Sequence, residues 1–303
     1  MKKLLLIYNP GAGTGKGRSA LPDVIEYFSH AGFSVEVYPT QHAGDGRRKI
    51  LDDAAAFDRI VVAGGDGMIH EAVGALVQHP HPTPLAVLPC GTINDFAATH
   101  GIPKKIRNAA KIAVTGHPQR IDVGCFNEQI FSYVAAFGMV THVSYETKQA
   151  TKNKLGRIAY GLEILKSIDL KHFDAASRQM RIASNRGVVV GKFIFGAITN
   201  SKYMGGIGKF FPEDVKTNDG LLEGLFVRRP NTIVELEHLK RGLIENDLTA
   251  PCIIYHRSAS FSIKTHSPMD WTLDGEKGGG WQNVSINTLP QALPLILPSS
   301  CTE

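Results

Sequence analysis

Ile60-Val61-Val62-Ala63-Gly64-Gly65-Asp66-Gly67 runs directly into Met68-Ile69-His70-Glu71-Ala72, and further on Leu85-Ala86-Val87-Leu88-Pro89-Cys90-Gly91-Thr92 runs into Ile93-Asn94-Asp95-Phe96. Each segment reads as strand, turn, helix: a short aliphatic run stops at glycine and a polar residue, then a helical pattern opens. Glycine lets the backbone approach a ligand closely, and the exposed amides at a helix start favour an anion. Asp66 stands among those glycines, where its carboxylate would repel phosphate unless a cation lies between them. A glycine cradle with one acid therefore points to a nucleotide phosphate chain with Mg²⁺, and to an enzyme.

Outward from these segments, the first ~120 residues alternate strand and helix with short joins, which predicts a doubly wound α/β domain on a parallel sheet. The expected strands are 3–8, 34–38, 59–63, 85–88 and 120–123, with helices over 47–57, 68–77 and 104–114. Leu21, Val24, Ile25 and Phe28 fall on one face of a further helix between the first two strands. Ligands in such sheets bind beyond the carboxyl ends of the strands. Asn9, Thr40, Gly64–Gly67 and Gly91-Thr92 all follow such ends and are expected to converge on one crevice.

After Val123 the pattern changes to runs suited to antiparallel pairing: 129–136, 178–184, 188–199, 221–228, 253–264, 269–273 and 284–287. Asn185-Arg186-Gly187 reads as a hairpin turn between two of them. Helical stretches at 142–169 and 232–245 interrupt. The expected architecture is α/β plus β: a nucleotide-binding domain over 1–122, and an antiparallel β-sandwich domain over 123–288.

The bulk properties are those of an ordinary globular protein, with 43% hydrophobic and 20% charged residues. A net charge of +5 without basic repeats argues against nucleic acid, yet suits visits to an anionic membrane surface. Cys90, Cys125, Cys252 and Cys301 are scattered, which argues against a disulfide framework or zinc site and fits a reducing cytoplasm. The apolar run at Leu4–Ile7 ends at Tyr8-Asn9-Pro10, too short for a secretory core, so it reads as a first strand and the protein as soluble. Asn9-Pro10-Gly11-Ala12-Gly13-Thr14-Gly15-Lys16-Gly17 fails as a Walker A loop, having Pro10 for a required glycine and Gly17 for Ser or Thr.

Gly64-Gly65-Asp66-Gly67 followed by Leu88-Pro89-Cys90-Gly91-Thr92-Ile93-Asn94-Asp95-Phe96 resembles the diacylglycerol kinase catalytic domain, in its soluble bacterial lipid-kinase form. Asn9-Pro10-Gly11-Ala12-Gly13, Asn218-Asp219-Gly220-Leu221-Leu222 and Asp274-Gly275-Glu276 extend the likeness in family order along the chain. The resemblance implies transfer of the γ-phosphoryl of MgATP to the hydroxyl of diacylglycerol, giving phosphatidic acid. It also implies that a final strand at 293–297, within about 289–303, returns to complete the first domain. Kinases for a sphingoid base or phosphatidylglycerol, and a nucleotide- or lipid-binding protein without transferase activity, are the alternatives.

On this resemblance, Asn9, Thr40, Gly64, Gly65, Asp66, Gly67, Met68, Ile69, His70, Gly91 and Thr92 contact the nucleotide, with Asn94 beside them. Met68 and His70 stand where the family usually carries Thr and Asn, which removes a side-chain contact at Met68 while leaving backbone amides at both positions. Asp219, with the main-chain carbonyls of Lys216 and Leu221, forms a structural Mg²⁺ site in the second domain. Glu276 is the proton acceptor, and with Asp66 it makes the catalytic pair. Lys148, Lys152, Lys154, Arg157, Lys166 and Lys171 form either a solvated face or a surface for anionic lipid heads. The resulting location is cytoplasmic, peripheral at the inner membrane surface. The sequence is silent on oligomeric state, and a homodimer is allowed.

Overall fold

The computed structural model describes residues 1–12, 16–80, 82–138, 173, 176–204, 211–245 and 247–298. The expected helix at 142–169 and the lysine cluster on it lie outside these residues. The chain divides into two compact units, Met1–Val123 with Pro290–Glu303, and Gly124–Leu289.

In the first unit, strands β1 (Lys2–Tyr8), β2 (Phe33–Pro39), β3 (Arg59–Gly64) and β4 (Leu85–Pro89) run parallel in the order β4-β3-β1-β2. The end of the last strand, β13 (Glu276–Leu297), joins the free side of β4, also in parallel, with Leu295 opposite Leu85. Leu4–Ile7, Ile60–Val62 and Leu85–Leu88 are buried, as strands covered on both faces require. Helices α1 (Lys16–His30) and α5 (Ile106–Thr115) pack together, and α2 (Asp45–Asp53) packs with α3 (Asp66–Gln78). A short α4 (Asp95–Thr99) follows the second glycine turn. Val24 and Phe28 fill the inward face of α1, and Ile69, Ala72, Val73, Ala75 and Leu76 that of α3.

The second unit is antiparallel. It contains β6 (Gln129–Phe131), β7 (Val134–Gly138), β8 (Arg178–Ser184), β9 (Gly187–Thr199), β10 (Leu222–Arg228), β11 (Ile253–Ser258), β12 (Ser260–Leu273) and the first part of β13, with α6 (Ile233–Glu245) between β10 and β11. β5 (His117–Phe126) leads into it from the first unit. The long strands β9 and β12 each pair with β8 along their first half and with β7 along their second. Trp271, Phe126, Phe131, Phe137, Phe193, Phe226 and Phe261 form the core. The Trp271 ring lies 4.9 Å from Phe126 and 4.8 Å from Phe137, centroid to centroid, in the tilted arrangement that aromatic quadrupoles favour.

Several elements differ from the sequence expectation. The run 129–136 is two strands, because the N–H groups of Ser132, Tyr133 and Val134 turn to the buried carboxylate of Asp274. The run 253–264 breaks at Ala259, where Ser258 Oγ donates to Ser260 O at 2.6 Å and Ala259 O accepts from Thr288 N–H. Residues 269–273 are the end of β12, while 284–287 and 293–297 are two stretches of the single strand β13. The helix expected at 47–57 starts earlier, at Asp45, and its last turn, Ala54–Ala56, is a 3₁₀ turn. The 120–123 strand extends to His117–Phe126.

Candidate active site

The first unit gathers the phosphate-binding candidates at the carboxyl ends of β1, β2, β3 and β4. β3 and β4 are parallel neighbours with Gly64 opposite Pro89, and Cys90 N–H donates to Gly64 O at 2.9 Å. Both glycine turns therefore leave the sheet side by side. A Cβ on Gly91 would stand 2.6 Å from Gly65 Cα, so backbone meets backbone with no side chain able to yield. Only glycine permits that approach.

Asp66 is the first residue of α3, and its carboxylate reaches across to the second turn. Oδ2 accepts Asn94 N–H at 2.9 Å and Oδ1 accepts Phe96 N–H at 3.3 Å. Asn94 adopts φ 60° and folds its amide back: Oδ1 accepts Gly91 N–H at 2.9 Å, and Nδ2 donates to Gly91 O at 2.7 Å. Asn94 is thus a brace of the turn, and its side chain does not cap α4. Asp66 ties the two turns together as well as supplying the acid.

Asn9 and Thr40 complete this end of the sheet. Asn9 N–H donates to Ala63 O at 3.1 Å, and its Oδ1 accepts Gly11 N–H at 2.8 Å, which shapes the turn after β1. Thr40 N–H donates to Tyr8 O at 2.9 Å. The exposed Thr92 projects from the second turn. The amides of Met68 and Ile69 are committed to Gly65 O at 3.0 and 3.1 Å, so the expected backbone contact at Met68 is spent inside the helix. The Met68 side chain lies over Gly64, where an added Cβ would stand 2.5 Å from its Sδ. His70 is half-buried one turn of helix beyond Asp66 and Gly67.

Around this end lie three further polar features. Buried Asp45 accepts Tyr38 Oη–H at 2.9 Å, Gln41 N–H at 2.9 Å and an Arg48 N–H at 2.8 Å. The Gln41 amide is the main influence holding its carboxyl below the usual carboxylate range. Burial pushes the Cys90 thiol up to about 11, so beside Gly91 it is a protonated, weakly nucleophilic group. Glu71 of α3 accepts Gly44 N–H at 2.9 Å, tying the loop before α2 to the glycine-turn helix, a link that no local pattern announces.

The second unit holds the other candidates. Glu276 is exposed at the start of β13, opposite Leu273. Asp274 and Gly275 between them have φ 53° and 85°, both left-handed as a type I′ hairpin turn requires. The Asp274 carboxylate is buried and accepts Ser132 N–H at 2.6 Å, Ser132 Oγ–H at 2.8 Å, and Tyr133 and Val134 N–H both at 2.9 Å. It fixes the backbone that carries Glu276. Sequence reasoning took Asp274 only as part of a motif, because its four donors lie far back along the chain.

Asp219 is exposed, with Oδ1 accepting Leu221 N–H at 3.1 Å, and Gly220 at φ 78° turns the chain between them. Asn200 Nδ2 donates to Thr217 O at 3.4 Å and steadies the approach to this loop. One carboxylate and the main-chain carbonyls of Lys216 and Leu221 form an all-oxygen donor set of the kind Mg²⁺ takes together with water. Among the described residues no group of three His, Cys, Asp or Glu side chains could hold a metal, so a metal here would depend on those carbonyls. Close by, Arg257 clamps Asp214 through two N–H···O bonds of 2.8 and 2.7 Å, and with Tyr255 Oη–H it also serves the buried Glu223.

Residues 3–126 match the diacylglycerol kinase catalytic domain, and residues 134–297 match the YegS C-terminal NAD kinase beta sandwich-like domain. The diacylglycerol kinase of Staphylococcus carnosus is 31% identical over 286 residues, which cover 92% of this chain and 90% of that protein. The one from Staphylococcus haemolyticus is 33% identical over 288 residues, covering 90% and 82%. The crystal structure of a diacylglycerol kinase from Bacillus anthracis superposes with a TM-score of 0.84 at 27% identity, covering 99% of this chain and 98% of that one.

Proposed function

The chain belongs to the diacylglycerol kinase family, and from that membership we propose that it transfers the γ-phosphoryl group of ATP to the hydroxyl of diacylglycerol, giving phosphatidic acid. It is a lipid kinase, with ATP as the co-substrate its family implies. The observation that carries the nucleotide assignment is the pair of glycine turns at the ends of β3 and β4, pressed together backbone to backbone and braced by Asp66.

In this reading Gly64, Gly65, Gly67, Gly91 and Thr92 approach the phosphates, and Asn9 and Thr40 line the same end of the sheet. Met68, Ile69 and His70 form the first turns of the helix behind them. Gly91 N–H is committed to Asn94, so its contribution is closeness rather than a free donor. Asp66 supplies negative charge at the phosphate site. Mg²⁺ bound with the nucleotide would neutralise phosphate charge, and Lys216, Asp219 and Leu221 would hold a separate, structural Mg²⁺. Glu276 orients the lipid hydroxyl and takes its proton as the new O–P bond forms and ADP departs. A largely dissociative transfer asks little more of the protein than this positioning.

Transfer of radiolabelled phosphate from ATP to diacylglycerol, a sphingoid base and phosphatidylglycerol tests the acceptor. Label in phosphatidic acid, with little in the other products, is the expected result. Dominant transfer to either rival, or nucleotide binding without transfer to any lipid, would overturn it.

A further inference from the structure

The outward face of the second unit carries an unusual arrangement across four strands. Val190 on β9 lies opposite Arg181 on β8, which lies opposite Lys264 on β12, which lies opposite Asn283 on β13. In the next row, Val188 is followed by Ala183, Ser262 and Ser285. Lys192 on β9, opposite Gln179, extends the face on the other side. The alternation is strict: Met180, Ile182, Val189, Phe193, Phe261, Ile263, Val284 and Ile286 point into the core from the same strands. Val188 and Val190 are left 51% and 57% exposed.

Two features of this face call for an outside partner. Two β-branched apolar side chains stand in water at alternate positions of one strand, where the same pleat could carry polar residues at no cost to the core. Arg181 and Lys264 are like charges directly across a strand pair, an arrangement that destabilises a sheet by itself. Among the described residues no carboxylate pairs with Arg181, Lys192 or Lys264. The first acid further along β12 is Asp270, beyond the irregularity between Lys264 and Met269. A surface that is anionic and takes up shallow apolar groups relieves both.

We propose that this face of β8, β9 and β12 docks the enzyme on an anionic phospholipid surface, with Val188 and Val190 entering the interfacial layer and Arg181, Lys192 and Lys264 meeting the headgroups. The inference rests on the reading that the acceptor is a membrane lipid. It assigns the approach to that membrane to a strand face made of residues other than the basic cluster that the sequence offers at 148–171.

The test uses the whole chain and vesicles of phosphatidylcholine with or without phosphatidylglycerol, in a sedimentation assay. The wild type should bind the anionic vesicles and lose binding as salt rises. Arg181→Gln with Lys264→Gln should weaken that binding by roughly 30-fold, from the usual worth of a basic residue near an anionic surface. Val188→Ser with Val190→Ser should weaken it further without changing the salt dependence. All four positions face outward, so the variants should fold, and the Arg181→Gln with Lys264→Gln protein should melt no lower than wild type because a like-charge pair is removed. Turnover on a water-soluble short-chain diacylglycerol should stay unchanged, while turnover on vesicle-borne substrate falls. Equal vesicle binding by wild type and variants would overturn the proposal. So would wild-type binding to a soluble polyanion but not to vesicles. If no diacylglycerol is phosphorylated, the functional reading falls, while the vesicle measurements still decide the docking face.

Discussion

Asp66 spends both carboxylate oxygens on backbone N–H groups of the neighbouring turn, which changes what its substitution should do. Asp66→Asn sets an amide NH₂ against a backbone donor as well as removing charge. Turnover should fall by about two orders of magnitude or more, the scale of losing a key electrostatic partner. Stability should also drop by ~1–3 kcal/mol, from one donor left unmade. Thermal melts alongside assays check both, and wild-type-like turnover would remove Asp66 from the phosphate site. Glu276 is the contrasting case, because it is exposed and its side chain makes no hydrogen bond or ion pair among the described residues. Glu276→Gln should lower turnover by roughly 10²–10⁴-fold, the usual worth of a positioned base. ATP affinity by calorimetry should hold, and a parallel collapse of ATP binding would show that Glu276 is not the base. The sequence made Asp66 legible because glycines surround it after a buried strand. Asp274 was not legible in the same way: Asp-Gly is an ordinary turn pair, and the carboxylate's partners at Ser132–Val134 come together with it only in the folded sheet.

At the scale of elements, the parallel strands were readable because strands buried on both faces are continuous aliphatic runs. The long strands β12 and β13 were harder, because polar and glycine residues such as Lys264–His266 and Gly278–Gly280 interrupt their pattern, and the pairing shifts register there, between Lys264 and Met269 and between Trp271 and Thr272. The end of α4 gives a pH-dependent consequence. His100 closes that helix against Phe96, 4.6 Å between ring centroids, and burial pushes its pKa down to about 3. Between its ordinary pKa of ~6.5 and that value the unfolded chain binds a proton that the folded one does not. Stability should therefore fall on acidification from pH ~6.5 towards 3, by about 1.4 kcal/mol per pH unit from this residue. A His100→Gln variant should show a shallower acid limb in chemical denaturation, and an unchanged slope would count against this origin. The Asp219 loop offers the metal counterpart. If Lys216, Asp219 and Leu221 hold Mg²⁺, wild type should melt higher with Mg²⁺ and Asp219→Ala should lose that gain, since a ligand of the native state stabilises it by mass action. Identical shifts in both proteins would exclude the loop.

For the molecule as a whole, the decisive element is β13, whose first part belongs to the second unit and whose end, from Pro290, belongs to the first. Where it changes unit, Gln291 takes φ 50° and donates its N–H to the buried carboxylate of Asp122 at 2.7 Å. Leu293, Leu295 and Ile296 are then buried beside β4. Burial of each such side chain is worth ~1.5–3 kcal/mol, and three together rival the ~5–15 kcal/mol that holds a typical domain. A chain ending at Leu289 should therefore lose cooperative melting of the first unit together with nucleotide binding, and retention of both would show that the strand is dispensable. The same threading also bears on synthesis. The ribosome makes residues 1–123 first, yet their sheet lacks one strand until all of 124–289 has been translated, a delay on the order of 10–30 s at ~5–20 residues per second. During that interval the edge of β4 is an open template, so the nascent chain needs either a chaperone's shelter or a second unit that folds quickly enough to deliver the missing strand.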